Sequence, residues 1–574
     1  MDEVVSVGGV RYALGSWGGV VSGAVELLER ERFSHRLWVK DGSLWKEEPG
    51  HRALIEGMLG WLSVPMTMAD RTGSLKGFAE TVREAGFGRT VLLGMGGSSL
   101  APLVLARTFF PRQGWPDLLV VDTTDPAAVK RVENEIDPAT TLFVVSSKSG
   151  STIEPNCLFD YFFAKVEAAR GGEAGGNFVA ITDPGSPLVE LSKEYSFRHL
   201  FLNFSDIGGR YSALSYFGLV PAALMGLDID RLLESAIAAS GRTLPGVSVR
   251  ENPAAFLGAV LGALAKEGRD KVTFLLTPEI AAFGLWAEQL LAESTGKEGR
   301  GIVPLGDEPP ARSAGLYGDD RVFVHLRLGA GGARERLVEE LEAAGHPTVT
   351  IELETAYELG REFYRWEVAA AAAGKVLGIN PFDQPDVEEA KKRSRALLEG
   401  PGRVETPEGL EAAPGVSLAF GRATARRIAP SDDAGLMFGD FLSLASAGDY
   451  LALLVYADPD DERVTAFFDE VRRGLLASTG RAVQLGYGPR YLHSTGQLHK
   501  GGPDNGLFII VVHRNDDGVA IPGRDYTFAD LETAQALGDM ESLDAKGRRV
   551  ALVMLDDLTD ETFGALRRFL SSTL

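Results

Sequence analysis

The sequence predicts an α/β protein with mainly parallel sheets: two α/β/α domains with a third α/β unit behind them. Three observations predict it. Apolar runs of strand length alternate with helical stretches from about residue 90 to Leu202, the pattern of a parallel, doubly wound sheet. The alternation restarts near Asp270. It starts a third time at Tyr450–Tyr456, after a Gly-, Pro- and Ala-rich stretch of weak periodicity. The expected boundaries are 1–65 for an N-terminal helical segment, 66–245 and 246–400 for the two domains, 401–448 for a linker or wrap-around segment, and 449–574 for the third unit.

The elements follow in order. Residues 1–65 read as helical and peripheral: 21–33 carries apolar residues at helical spacing, and Lys40-Asp41-Gly42 is a turn between Leu37-Trp38 and Leu44-Trp45. In the first domain, strand 90–95 enters Gly94-Met95-Gly96-Gly97-Ser98-Ser99, and a helix follows through Leu100, Leu103 and Leu105. Strand 118–121 ends at Asp122, helix 127–134 comes next, and Leu142 to Val145 reads as a buried parallel strand. Further strands are predicted at Phe178–Thr182 and 200–202. The second domain has strand 272–276, a helix from Phe283 to about Ser294, strands 322–328 and 349–353, and a long Ala-rich helix over 356–377. A turn at Asn380-Pro381-Phe382-Asp383-Gln384-Pro385 leads to a helix bearing Lys391, Lys392 and Arg393. In the third unit, 507–512 and 550–555 are candidate strands.

Composition excludes several function classes. A chain of 574 residues with formal net charge −22 is a poor partner for nucleic acid or an anionic membrane. It must also place cations locally if it binds an anion. One cysteine, Cys157, excludes an intrachain disulfide and fits a reducing cytoplasm. The start Met1-Asp2-Glu3 is acidic and lacks a signal-peptide pattern, and no apolar run is long enough to span a bilayer. The expectation is a soluble cytoplasmic protein.

The stretch 142–155 carries the strongest chemical signal. A strand runs into Ser146, Ser147, Lys148, Ser149, Gly150, Ser151 and Thr152, and Ser151 and Glu154 have capping-box spacing for the next helix. Hydroxyls, backbone N–H groups and a helix dipole around one lysine suit a phosphate monoester. Helix capping alone would use fewer hydroxyls. The Gly-rich turn at Gly94 departs from a dinucleotide fingerprint, because its third glycine position is Ser99. Asp122 at the end of the second strand is what keeps that reading open. A turn that lets Gly97 and Ser98 approach a ligand closely explains the glycines better. Gly208-Gly209 precedes Arg210 and can aim its guanidinium. Glu293 lies at the edge of the apolar stripe Phe283, Trp286, Ala287, Leu290. A carboxylate partly desolvated there is a better base than the solvated glutamate of an ordinary helix.

These stretches resemble glucose-6-phosphate isomerase. Gly94-Met95-Gly96-Gly97-Ser98, Ser147 to Glu154, Gly209-Arg210-Tyr211-Ser212, Ala292 to Lys297 and Asn380 to Pro385 stand in the family's order, and with Lys391 they cover roughly residues 90–400. The resemblance implies two sugar-isomerase-type domains and isomerisation of glucose 6-phosphate and fructose 6-phosphate by ring opening and proton transfer through a cis-enediolate. It implies no metal or cofactor and a homodimer. It assigns Ser147, Ser149 and Thr152, with Lys148 nearby, to the phosphate. Glu293 would be the base between C2 and C1, and Arg210 would stabilise the enediolate. Lys391 and a histidine would assist ring opening, and Gln384, Gly97 and Ser98 would line the sugar site. Mannose 6-phosphate is a further candidate substrate. A non-catalytic sugar-phosphate regulator is the alternative reading; it would need neither Glu293 nor Lys391.

One departure is informative. In bacterial members the ring-opening histidine follows the glutamate by some twenty residues. Here Pro310 to Tyr317 holds no histidine, whereas Leu492-His493-Ser494-Thr495-Gly496-Gln497-Leu498-His499-Lys500 lies far downstream. The tail after 449 resembles the isomerase half of bacterial transaldolase–isomerase fusions, with no transaldolase half in this sequence. Its segment Leu475 to Arg481 echoes Leu290 to Lys297 without the glutamate. The third unit therefore reads as a duplicated half-domain, with Glu293 kept in one copy and His493 in the other. The contrary reading makes His493 and His499 structural residues of an inert appendage. Both a histidine from the same chain and one from a partner subunit are compatible with the sequence.

Overall fold

The computed structural model describes residues 3–306, 308–329, 333–399, 404, 406–514 and 518–573. The first sheet is all parallel, in the order Asp117–Val121, Arg89–Gly94, Thr141–Ser146, Phe178–Thr182, His199–Leu202. Every residue of Thr141–Ser146 is buried, as a strand covered on both faces requires. The chain leaves Arg89–Gly94 to one side for Asp117–Val121 and later enters Thr141–Ser146 on the other side, so the loops after Gly94 and Ser146 flank a topological switch point. In open α/β sheets that crevice is where ligands bind.

The second sheet runs Glu3–Val7, Val10–Gly15, Thr348–Leu353, Arg321–Leu328, Lys271–Leu276, Val303–Leu305. The expectation of a helical, peripheral N-terminus is corrected here. Glu3–Val7 and Val10–Gly15 form a hairpin that pairs antiparallel with Thr348–Leu353, Tyr12 opposite Val349. The helices after it are also core elements, with Leu28, Phe33, Leu37 and Trp61 buried in the main cluster.

The third sheet runs Leu410–Ala413, Val416–Phe420, Arg549–Leu555, Gly506–His513, Tyr450–Tyr456, Ala482–Gly488. The second and third sheets share one topology, strand for strand: an antiparallel hairpin, then parallel strands in chain order four, three, one, two. The third unit thus repeats the whole sheet of the second rather than half of it. The stretch expected as a linker, 401–448, supplies its hairpin and the helix Ala434–Ser443. The echoed sequences occupy equivalent places, in helices Phe283–Thr295 and Glu462–Thr479, each leading into the sheet's edge strand. Those edges meet: Gln484 Nε2 donates to Pro304 O at 2.9 Å, and the Val483 amide donates to Glu308 Oε1 at 3.2 Å.

Candidate active site

The switch point of the first sheet sets the site. Gly94 and Ser146 are register partners, so their loops emerge side by side. Close packing then demands glycine. Gly96 has φ +54°, and a Cβ there would lie 2.8 Å from the His493 carbonyl oxygen and 2.9 Å from Gln289 Nε2. A Cβ on Gly97 would lie 2.1 Å from Gly209 O. The Gly-rich turn therefore receives the Arg210 loop and the His493 loop at van der Waals distance. The dinucleotide reading loses its acidic residue as well, because Asp122 is bound on both oxygens by Arg490, at 2.6 and 2.9 Å.

Around this junction lies a cavity of about 820 Å³, within the range of small-molecule sites. Gly97, Ser98, Lys148, Ser149, Thr152, Arg210, Glu293, Gln384, Lys391 and His493 all line it. The start of helix Ile153–Arg170 lines it through Thr152, Ile153 and Glu154, and the N-cap residue Thr152 makes no side-chain capping bond. Ser147 is the exception among the expected anion ligands. It is 2% exposed and does not line the cavity: its hydroxyl accepts from the Gly150 amide at 3.1 Å and donates to Thr152 Oγ1 at 3.3 Å, shaping the loop. Lys148 is turned to the Asp183 carboxylate.

Glu293 and Arg210 face each other, with Nη1 3.3 Å from Oε1. The Arg210 fork is fully held: Nε donates to Ser294 Oγ at 2.8 Å, Nη2 to Pro381 O at 2.6 Å, and Nη1 to Gln384 Oε1 at 3.0 Å. Such a cation is preorganised for a developing oxyanion and does not need to reorient. One helical turn before Glu293, Gln289 Nε2 donates to Glu293 Oε2 at 3.1 Å and to the His493 carbonyl at 2.7 Å. Behind Arg210, Lys297 holds Asp383 at 2.9 Å, and burial with the Arg210 charge pushes its ammonium down to about 8.

His493 belongs to the third unit, yet its Nε2 lies 2.8 Å from Glu154 Oε1 of the first. The same oxygen accepts from Gln535 Nε2 at 2.7 Å. The capping-box assignment of Glu154 is thereby corrected: its carboxylate is held by His493 and Gln535, and the Ser151 amide donates to Ser149 Oγ at 3.3 Å instead. His499 fits the structural reading instead: it is buried, its Nε2 meets Gln484 Oε1 at 2.8 Å, and desolvation pushes its ring well below the usual histidine range. Lys391 stands at the rim, its side chain 51% exposed and 3.0 Å from Glu388 Oε1. Sequence reasoning missed Glu154, Gln289, Gln535 and Lys500, the last a buried cavity-lining lysine paired with Asp539 at 2.5 Å.

A sequence profile of the family Phosphoglucose isomerase matches residues 66–300. A glucose-6-phosphate isomerase from Rubrobacter xylanophilus is 31% identical over 439 residues, covering 67% of this chain and 96% of that protein. One from Pediococcus pentosaceus is 30% identical over 396 residues, covering 60% of this chain and 87% of the other. Among solved structures, a hypothetical protein from Thermus thermophilus superposes with a TM-score of 0.56 at 26% identity, over 67% of this chain and 97% of that one. A glucose-6-phosphate isomerase from Chlamydia trachomatis shares the fold, with a TM-score of 0.52 at 20% identity over 69% and 90% of the two chains.

Proposed function

The chain belongs to the phosphoglucose isomerase family and is an isomerase that interconverts glucose 6-phosphate and fructose 6-phosphate, and we propose how its residues divide the reaction. The phosphate sits at the N-terminus of Ile153–Arg170, held by Ser149, Thr152 and free amides, with Lys148 supplying charge. Ser147 holds the loop that presents them. His493, kept in place by Glu154, moves the ring-opening proton with Lys391 at the rim. Glu293 carries the proton between C2 and C1, and Arg210 faces the enediolate oxygen. Gln384, Gly97 and Ser98 contact the sugar.

The observation that carries this reading is that one cavity gathers Glu293, Arg210, His493 and the hydroxyl loop from three units of one chain. A regulator that only bound the sugar would not need a carboxylate opposite a held guanidinium. The resemblance implies a homodimer, but with His493 supplied in cis a second copy is not needed to complete the site. The single cysteine and acidic composition support a cytoplasmic location, and among the described residues no helix is long and apolar enough to cross a membrane. A coupled assay on fructose 6-phosphate tests the assignment: Glu293→Gln is expected to lower kcat by about 10²–10⁴-fold. Retention of wild-type turnover would remove Glu293 as the base.

A further inference from the structure

We propose that Asp125, His513 and Glu532 bind one divalent transition-metal cation of the zinc or manganese class, which pins the third unit to the first. Asp125 precedes helix Pro126–Glu135 of the first unit, His513 ends strand Gly506–His513, and Glu532 lies in helix Phe528–Ala545. One ligand atom from each falls within 4.8 Å of the others. The cluster lies outside the residues that line the sugar cavity.

The geometry supplies the coordinating groups, and one buried atom points to a ligand. A carbonyl only accepts, so His513 Nδ1, 3.1 Å from the Arg514 carbonyl oxygen, carries a hydrogen. Nε2 is the nitrogen that faces Asp125 Oδ2, at 3.4 Å. A carbonyl that fixes the far ring nitrogen is also how metal-bound imidazoles are oriented. The independent detail is Glu532, which is 2% exposed while its Oε1 has no hydrogen-bond partner among the described residues. An unpaired carboxylate in such a place is costly.

A divalent ion would satisfy the Glu532 oxygen and draw the three groups together. Two carboxylates balance its charge, and one imidazole with two carboxylate oxygens suits zinc or manganese better than calcium or magnesium. Small side-chain rotations would bring the three atoms to bonds of about 2.0–2.2 Å. The ion would touch no reacting atom. Its effect passes along one helical turn, from Glu532 to Gln535, which accepts from Thr124 Oγ1 at 2.9 Å and donates to Glu154, the partner of His493. The three ligands are positioning residues in that sense.

The test uses the full chain, stripped with EDTA and titrated with Zn²⁺ and Mn²⁺ by calorimetry, with the melting temperature read in parallel. The expected result is one equivalent bound, a raised melting temperature, and binding at least about tenfold weaker in Glu532→Gln, which keeps shape and removes charge. Wild type and Glu532→Gln binding alike, or neither binding, would overturn the proposal. X-ray absorption of the zinc-loaded wild type decides the case even if the variant fails to fold. A shell with one imidazole and oxygen ligands is expected, and a shell without imidazole would overturn it.

Discussion

The imidazole of His493 and the carboxylate of Glu154 meet at 2.8 Å although they belong to different units of the chain. Glu154 is 3% exposed. Burial pushes its carboxyl up, but the charge and hydrogen bond of His493 outweigh burial and hold it below its ordinary value of 4.5. It is therefore an anion at neutral pH, and His493 has a fixed orientation. Substitution Glu154→Gln is expected to lower kcat by about 10²-fold, because the histidine loses that orientation. Steady-state kinetics on fructose 6-phosphate check it.

The same pair makes a stability prediction. A carboxyl whose folded pKa is depressed stabilises the fold above its unfolded value, and that contribution is lost as pH falls through the folded value. Wild type should therefore lose stability below pH 4.5 more steeply than Glu154→Gln. Urea melts across that range measure the difference.

Arg490 sits three residues before His493 and clamps Asp122 with both nitrogens inside a buried contact. Removing one partner of such a pair leaves an uncompensated charge, at a cost of about 3–5 kcal/mol. Asp122→Ala should lower unfolding stability by about that amount and displace the His493 loop, so kcat falls too. Chemical denaturation alongside the coupled assay would show whether both change together.

Lys297 predicts an alkaline limit. Its ammonium, at about 8, loses its proton within the working range and releases Asp383, whose carbonyl also accepts from Arg210. The expected profile of kcat/KM falls above pH of about 8, and in Lys297→Arg the fall moves to higher pH because a guanidinium stays charged. The sign for stability is opposite. The folded lysine deprotonates at about 8 and the unfolded one at 10.5, so this group's contribution to stability rises with pH between those values. A loss of activity without unfolding above pH 8 distinguishes the two.

Local signals in the sequence pointed to most of the residues that line the cavity. The unbroken apolar run before Ser146 marks a two-face-buried strand, and Glu293 at the edge of its apolar stripe lines the cavity opposite Arg210. What escaped depends on distant partners. The hairpin at Glu3–Gly15 gains its place only by pairing with Thr348–Leu353, and its two strands are too short to announce themselves. The hairpin at 410–420 is hidden in the same way among Gly and Pro. Ser151 and Glu154 have capping-box spacing, and only the arrival of His493 from the third unit shows that Glu154 serves another purpose. Ser147 looks like its hydroxyl neighbours in sequence; only its hydrogen bonds with the Gly150 amide and Thr152 Oγ1 mark it as turned inward.

The central claim is that one chain carries both halves of a divided site, Glu293 in the second unit and His493 in the third. Mixing two inactivated proteins, Glu293→Gln and His493→Ala, tests it most directly, after joint unfolding and refolding to allow subunit exchange. If His493 acts on the Glu293 of its own chain, no mixed assembly contains a complete site. The turnover of fructose 6-phosphate then equals the sum of the two variants. Recovery well above that sum would mean that the histidine reaches a partner's glutamate, and the cis site would be wrong.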